Sequence, residues 1–275
     1  MPRILSYPIM LRSPVFDRFN SKFFMGSPTL DATFSIYDGA WKYDFDEKSP
    51  NSIHKQIETD PRPKWCAEVF GSLEGRTVVE LGPADGYHTA ALEQLGAHVT
   101  AIEGNVDAFL RCLILKNALN LQAQFLIGDF TKAFGPGTSN RWDVIYACGI
   151  LYHLLDPVQF IFDCAKSTDN LFLWTHYYDE NAAQGIDFEA RGFAAKVTKV
   201  VQRYGKTYTY HEKTYDLGHV ELMGYIGGLN ATASWLSRDD LLAAVTAAGF
   251  RIDKLVEDPL VEGVRMPALN ILASK

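Results

Sequence analysis

A carboxylate that closes a β-branched run, just ahead of a glycine turn, is well placed to hold a positive charge. Thr77-Val78-Val79-Glu80-Leu81 is such a run, and Gly82-Pro83-Ala84-Asp85-Gly86 is the turn. Gly82 and Gly86 let the backbone bend sharply and approach a ligand closely. The helix expected after them offers free N–H groups. A pyrophosphate loop would carry G-x-G-x-x-G at this place. Here the spacing is G-x-x-x-G, and Glu80 beside a pyrophosphate would repel it, whereas a cationic ligand is welcome. Glu103 ends the next β-branched run, ahead of Gly104, and is placed to accept hydrogen bonds from two ribose hydroxyls. Asp129 and Phe130, in I-G-D-F, end a third run. By itself, an acid there is more often a helix N-cap.

A fourth segment, W-D-V-I-Y-A-C-G-I-L-Y-H-L-L-D-P over 142–157, brings Cys148, Tyr152 and His153. An unperturbed histidine titrates near about 6.5 and can act as a general base, or it can simply be satisfied by backbone. His176, Asp179, His211, His219 and Glu221 follow, but no H-x-x-x-H or H-x-H spacing links them. They read as structural or substrate-binding groups, and no metal is expected.

These residues need a scaffold that gathers strand ends. Runs 77–81, 98–103, 124–127, 142–147 and 170–175 read as strands. Tyr87 to Leu95 reads as a helix closed by Gly96. Asn105 caps another, with Val106, Phe109, Leu110 and Leu113 on one face. Asp156-Pro157 starts a further helix. Ser237-Arg238-Asp239-Asp240 resembles a capping box opening the last one, and 251–256 and 269–273 read as closing strands. Alternation at this spacing implies an α/β fold: a doubly wound, mostly parallel seven-stranded sheet whose ligands bind beyond the strands' carboxyl ends. Residues 1–60 read as an irregular N-terminal extension, and 61–275 as the main domain. Within the latter, 177–235 is an irregular, aromatic insertion expected to form a lid.

G-Y-H after the glycine turn, with G-I-L-Y-H and a proline a few residues on, resembles the bacterial tRNA wobble-uridine carboxymethyltransferases and their relatives. The resemblance runs from about Lys64-Trp65 through Gly75-Arg76-Thr77 to the helix ending at Gly249. It implies a Rossmann-like class I methyltransferase fold and S-adenosyl-L-methionine as cofactor, held by Glu80, Gly82, Asp85, Gly86, Glu103, Gly104, Asp129, Phe130 and Cys148. It places Tyr152 against the transferred group, with His153 beside it as candidate base. The chain departs from the family at Glu80, where Asp is usual, and at Gly82-Pro83-Ala84, where Gly-x-Gly is usual. Arg265 is one candidate for holding a carboxylated form of the cofactor, and plain S-adenosylmethionine is the simpler expectation.

The formal net charge is −7, from 26 basic and 33 acidic residues. The insertion holds six basic and seven acidic residues among many rings. A phosphate-reading surface is basic, so a small-molecule acceptor, methylated on oxygen or nitrogen, is favoured over tRNA. A nicotinamide oxidoreductase fits less well, because of the glycine spacing and the lack of a Y-x-x-x-K pair; a catalytically silent binding module remains a fourth reading. No apolar run reaches the roughly 20 residues of a membrane span, and the N-terminus reads as no signal peptide. Cys66, Cys112, Cys148 and Cys164 read as free buried thiols, and the expected compartment is the cytoplasm.

Overall fold

The computed structural model describes residues 26–42, 50–134, 137–184, 198–215, 227–258 and 266–275. The β-branched runs form β1 (Thr77–Leu81), β2 (His98–Glu103), β3 (Gln124–Ile127), β4 (Val144–Cys148) and β5 (Asn170–His176), all parallel. β9 (Arg251–Asp258) and β10 (Ala268–Ser274) complete a seven-stranded sheet of order β3-β2-β1-β4-β5-β10-β9, with β10 antiparallel to both neighbours. From β1 the chain winds out to β3, then returns to place β4 on β1's other side. That reversal puts a crevice at the carboxyl ends of β1 and β4. The expected fourth strand began at Trp142. It begins at Val144, because Asp143 turns its carboxylate to the Thr77 N–H at 2.7 Å and the Thr77 hydroxyl at 2.8 Å.

Side chains alternate across a sheet, and this sorts the site. Val79, Leu81, Ile145, Ala147, Leu171 and Leu173 share a core with α6 (Pro157–Ser167) and α8 (Arg238–Ala247). Val78, Val144, Tyr146 and Phe172 pack on the other face with α3 (Arg62–Phe70) and α4 (Tyr87–Gln94). Glu80 and Cys148 have the parity of this second face, so α3 and α4 are their neighbours.

α5 (Val106–Leu119) starts at Asn105, whose side chain accepts from the Ala108 N–H at 2.9 Å. Its buried face differs from the expected one. Ala108, Arg111, Cys112, Leu115 and Ala118 are buried, whereas Val106, Leu110 and Leu113 are 62%, 41% and 38% exposed. The small residues let the helix sit close to the sheet, and Arg111 is tolerated inside because Asp85 neutralises it.

Residues 1–60 and 177–235 are more regular than their composition suggests, within the parts described. α1 (Leu30–Phe34) and α2 (Pro50–Ile57) lie in the former. In the latter, α7 (Glu180–Gln184) precedes an antiparallel sheet of β6 (Thr198–Arg203), β7 (Lys206–Thr214) and β8 (Thr232–Leu236). Tyr204 and Gly205, both at positive φ, make the β6–β7 hairpin turn. Ser237 caps α8 through the Asp240 N–H at 3.2 Å. The reciprocal half of the expected box is missing, because Asp240 accepts instead from the Thr209 N–H of β7 at 2.9 Å. Among the described residues, no helix is long and apolar enough to cross a membrane.

Candidate active site

The floor of the crevice is a backbone turn between acids. Gly82 has φ +67°, and a Cβ there would lie 2.6 Å from Ile150 Cγ2, so a side chain is excluded on both counts. Gly86, also at positive φ, is the N-cap of α4. Glu80 is buried and accepts a hydrogen bond from the Thr89 hydroxyl of α4. Burial and the nearby Glu103 push its carboxyl up to about 8, against the opposing pull of Thr89. Glu103 is raised as well, by burial, although it accepts from the backbone N–H groups of Asn105 at 2.8 Å and Ala84 at 3.0 Å. Each of its oxygens holds one of these N–H groups and keeps a second lone pair for a ligand hydroxyl. Two buried acids with raised affinity for protons make a place where an added cation is stabilised.

Asp85 has another occupation. Its carboxylate takes Arg111 Nε at 2.7 Å and the Lys42 N–H at 2.5 Å, and both side chains of the ion pair are buried. It fixes the turn to α5 and to the N-terminal segment. Asp129 caps a 3-10 turn, accepting on Oδ1 from the Thr131 N–H and hydroxyl at 2.9 and 2.6 Å. The N-cap reading of that acid therefore holds, and Oδ2 is left over. Phe130 is buried edge-on to Phe160 at 5.7 Å.

A cluster of which the motifs contain only His88, in G-Y-H, lies beside Cys148. Asp60 accepts from Nε and an outer nitrogen of Arg62, and it meets His88 Nε2 at 2.9 Å. Burial alone would raise the Asp60 carboxyl, but the hydrogen bonds from Arg62 and His88 hold it well below the usual range. His88 is lowered by burial, against Asp60's pull, and so stays neutral. The other outer nitrogen of Arg62 reaches Cys148 Sγ at 3.2 Å, a weak acceptor, and the guanidinium stands 5.3 Å from the Trp174 ring. The rest of its fork has no protein acceptor among the described residues. The Tyr146 hydroxyl, on a ring 5.4 Å from His88, is buried with no partner among the described residues. For Asp60 and Arg62 the sequence signal was an Asp-x-Arg pair, D-P-R-P, ahead of a helix. Burial pushes the Cys148 thiol up to about 12, which leaves it neutral.

Past Gly149 a 3-10 turn presents Tyr152 and His153. Tyr152 is ringed by His153, His176, Trp235 and Trp174, at centroid distances of 4.2, 4.9, 5.5 and 6.1 Å. His176 stacks on Trp235 at 5.6 Å, and Tyr178 on His211 at 3.6 Å. Trp235 and His211 belong to the insertion sheet, which thus supplies part of the wall. Burial, then Lys213 and His176, lower His153 to about 3. Leu229 lies against Gly104, so residues 227–231 cross the mouth between the ends of β2 and β4. Among the described residues no group of histidines, cysteines and acids could hold a metal ion. His219, Glu221 and Arg265 lie outside the described residues. All four cysteines are free; Cys66, Cys112 and Cys164 are buried and Cys148 is half-buried.

The order and direction of the strands are those of the Rossmann-like class I methyltransferase fold. The N-terminal domain of EvdMO1 with S-adenosylhomocysteine bound matches 78% of this chain and 79% of its own, with a TM-score of 0.57 and 22% identity. Magnesium protoporphyrin IX methyltransferase from Synechocystis PCC 6803, also with S-adenosylhomocysteine bound, gives 0.53 over 88% of this chain and 92% of its own at 14% identity. No family profile matches the chain. Among curated proteins, the tRNA U34 carboxymethyltransferase of Alcanivorax borkumensis is 26% identical over 113 residues, 39% of this chain. The ubiquinone biosynthesis O-methyltransferase of Alkalilimnicola ehrlichii is 24% identical over 106 residues, 38% of this chain. These stretches cover only 34% and 42% of the two relatives' lengths.

Proposed function

We propose that the chain is an S-adenosylmethionine-dependent methyltransferase acting on an oxygen or nitrogen of a small-molecule acceptor. The observation that carries this is the pair of buried acids, Glu80 and Glu103, at adjacent strand ends around a glycine turn that a side chain would block. The cofactor supplies an electrophilic methyl group on a sulfonium. Glu80 stabilises the positive amino-acid end electrostatically, Glu103 accepts from the ribose hydroxyls, and Asp129 Oδ2 with Phe130 borders the adenine. Arg62 is the chain's answer to the carboxylate at that amino-acid end, because its fork is half-buried, pre-aligned by Asp60 and incompletely satisfied.

The acceptor lies against Tyr152, Trp174, His176 and Trp235, with water excluded by residues 227–231 of the lid. Its oxygen or nitrogen forms the new bond to methyl as the S–CH3 bond breaks with its electrons going to sulfur. The acceptor's proton passes to His153. An oxygen becomes strongly acidic as it takes the methyl group, so a weak base that stays neutral suffices. With His153 lowered to about 3, turnover should not follow a histidine ionisation near neutrality. His153→Ala should bind S-adenosylhomocysteine normally yet lose about 10²–10⁴ in rate, measured with an acceptor found by screening hydroxylated and amino compounds for label transfer. A tRNA acceptor is the second reading, supported by the similarity to two tRNA U34 carboxymethyltransferases and opposed by the net charge of −7. Calorimetry decides the central claim: S-adenosylhomocysteine should bind and NAD should not, and the reverse result would sink it.

A further inference from the structure

We propose that Asp258 is a positioning residue that fixes Trp174 against Arg62, so that the closing strands of the sheet set how firmly the cofactor's carboxylate is held. This rests on the reading of Arg62 as the group that meets that carboxylate. Cys148, Trp174 and Asn270 stand side by side on β4, β5 and β10, and Asn270 pairs in turn with Val256 on β9. Cys148 and Trp174 pack on the face covered by α3, the helix that Arg62 opens, and Asn270 and Asp258 have the parity of that face. The Trp174 indole N–H donates to Asp258 Oδ2 at 2.8 Å. An indole nitrogen only donates, so this bond has one direction. The Asn270 amide donates to Asp258 Oδ1 at 3.0 Å and to the Val256 oxygen at 3.3 Å. Asn270 is buried in the apolar strand β10, and its Oδ1 has no partner among the described residues. A buried amide used only as a donor is a costly way to stabilise a sheet, and what this one holds in place is Asp258.

The indole is held elsewhere too. A Cβ on Gly149 would fall 3.2 Å from Trp174 Cζ3, so the ring lies against the backbone that leaves β4. The Arg62 guanidinium carbon stands 5.3 Å from the ring, within the range of a cation–π contact. A carboxylate on the indole N–H orients the ring and polarises it toward higher electron density, and both strengthen its hold on the guanidinium. Asp60 fixes Arg62 through charged hydrogen bonds, and Trp174 adds a second contact that limits how the fork can turn. The same indole is 6.1 Å from Tyr152 and 5.1 Å from His176, so its orientation is shared with the ring wall.

The test is calorimetry of the full chain with two probes, S-adenosylhomocysteine and 5′-methylthioadenosine, which keeps the adenosine but lacks the amino-acid end. Asp258→Ala should weaken S-adenosylhomocysteine about three- to tenfold and leave methylthioadenosine unchanged. Trp174→Phe keeps a ring and removes the N–H; it should show the same selective weakening, and it serves if the alanine variant fails to fold. Because Asp258 acts through the indole, adding Asp258→Ala to Trp174→Phe should have no further effect. The indole proton of Trp174, identified in a proton–nitrogen spectrum by its loss in Trp174→Phe, should move upfield in Asp258→Ala. Equal weakening of both probes, an unmoved indole proton, or unchanged S-adenosylhomocysteine affinity in both single variants overturns the proposal and leaves the methyltransferase reading standing. Wild type that binds neither probe overturns that reading and the proposal together.

Discussion

The two sides of the crevice are built from different materials. The side proposed for the cofactor uses a few point charges: Glu80 and Glu103 at strand ends, and Arg62, at the start of α3, held by Asp60. The side proposed for the acceptor is a wall of rings, Tyr152, Trp174, His176 and Trp235, partly brought by the insertion sheet. A charged ligand common to many reactions can be fixed by a handful of rigid charges on a sheet that tolerates no slip. An acceptor of particular shape is better matched by broad ring surfaces carried on an element that can vary.

The sharpest way to break this comparison is to cut the cofactor side at its buried ion pair. Asp85→Ala leaves Arg111 buried without its carboxylate, and it should cost about 3–5 kcal/mol of stability, read from urea unfolding. A loss below about 1 kcal/mol would mean the turn is not anchored there. Glu103→Ala comes next. It should weaken S-adenosylhomocysteine by about 1.5–3 kcal/mol in calorimetry, whereas Trp235→Phe should leave that affinity unchanged.

The pH dependence is about as sharp a test of the charge argument. With its carboxyl near 8, Glu80 is mostly protonated at pH 7 in the free protein, and a cationic ligand favours the ionised form. Binding should then release a proton, and affinity should rise about tenfold from pH 7 upward before levelling above 8. Calorimetry in buffers of different ionisation enthalpy reads the released proton directly; heats that do not depend on buffer would exclude it. The sign for stability is opposite. A group raised above its unfolded value contributes stability at low pH that is lost as pH climbs through about 8, so the ligand-free protein should weaken over that range. The smallest effect expected is at the mouth. Leu229→Ala should speed release of S-adenosylhomocysteine by a few-fold, about 0.5–1 kcal/mol of lost contact, in stopped-flow chase experiments.

The strand ends and the glycine turn were largely legible in the sequence because their information is local. Strand periodicity, glycine spacing and an acid at a strand's end are all read within ten residues, and Glu80, Gly82, Gly86 and Glu103 stand where they were expected. The buried face of α5 was not legible, because Arg111 looks like a solvent residue until Asp85, 26 positions away, is known to meet it. Arg62 was missed for the same reason: its relation to Cys148 exists only in three dimensions. The insertion was misjudged as irregular because its turn, Tyr204-Gly205, uses a tyrosine at positive φ in place of the usual asparagine or glycine. For His153, position was readable but electrostatics was not, since burial and Lys213 come from elsewhere in the chain.

The insertion departs and returns at one spot. The Tyr178 N–H donates to the Leu236 oxygen at 2.8 Å, and Tyr178 bridges to Ser237. Two chain ends that already touch can be joined by almost any length of polypeptide at little entropic cost. On the proposed reading, acceptor preference is a cassette in evolutionary terms, exchangeable at a single junction without moving the parallel strands. The constraint on any replacement is its underside, since Val201, Tyr208 and Tyr210 share the core with α6 and α8. A new module must bring an apolar face of similar extent, and beyond that it is free to carry a different set of rings to the same methyl group.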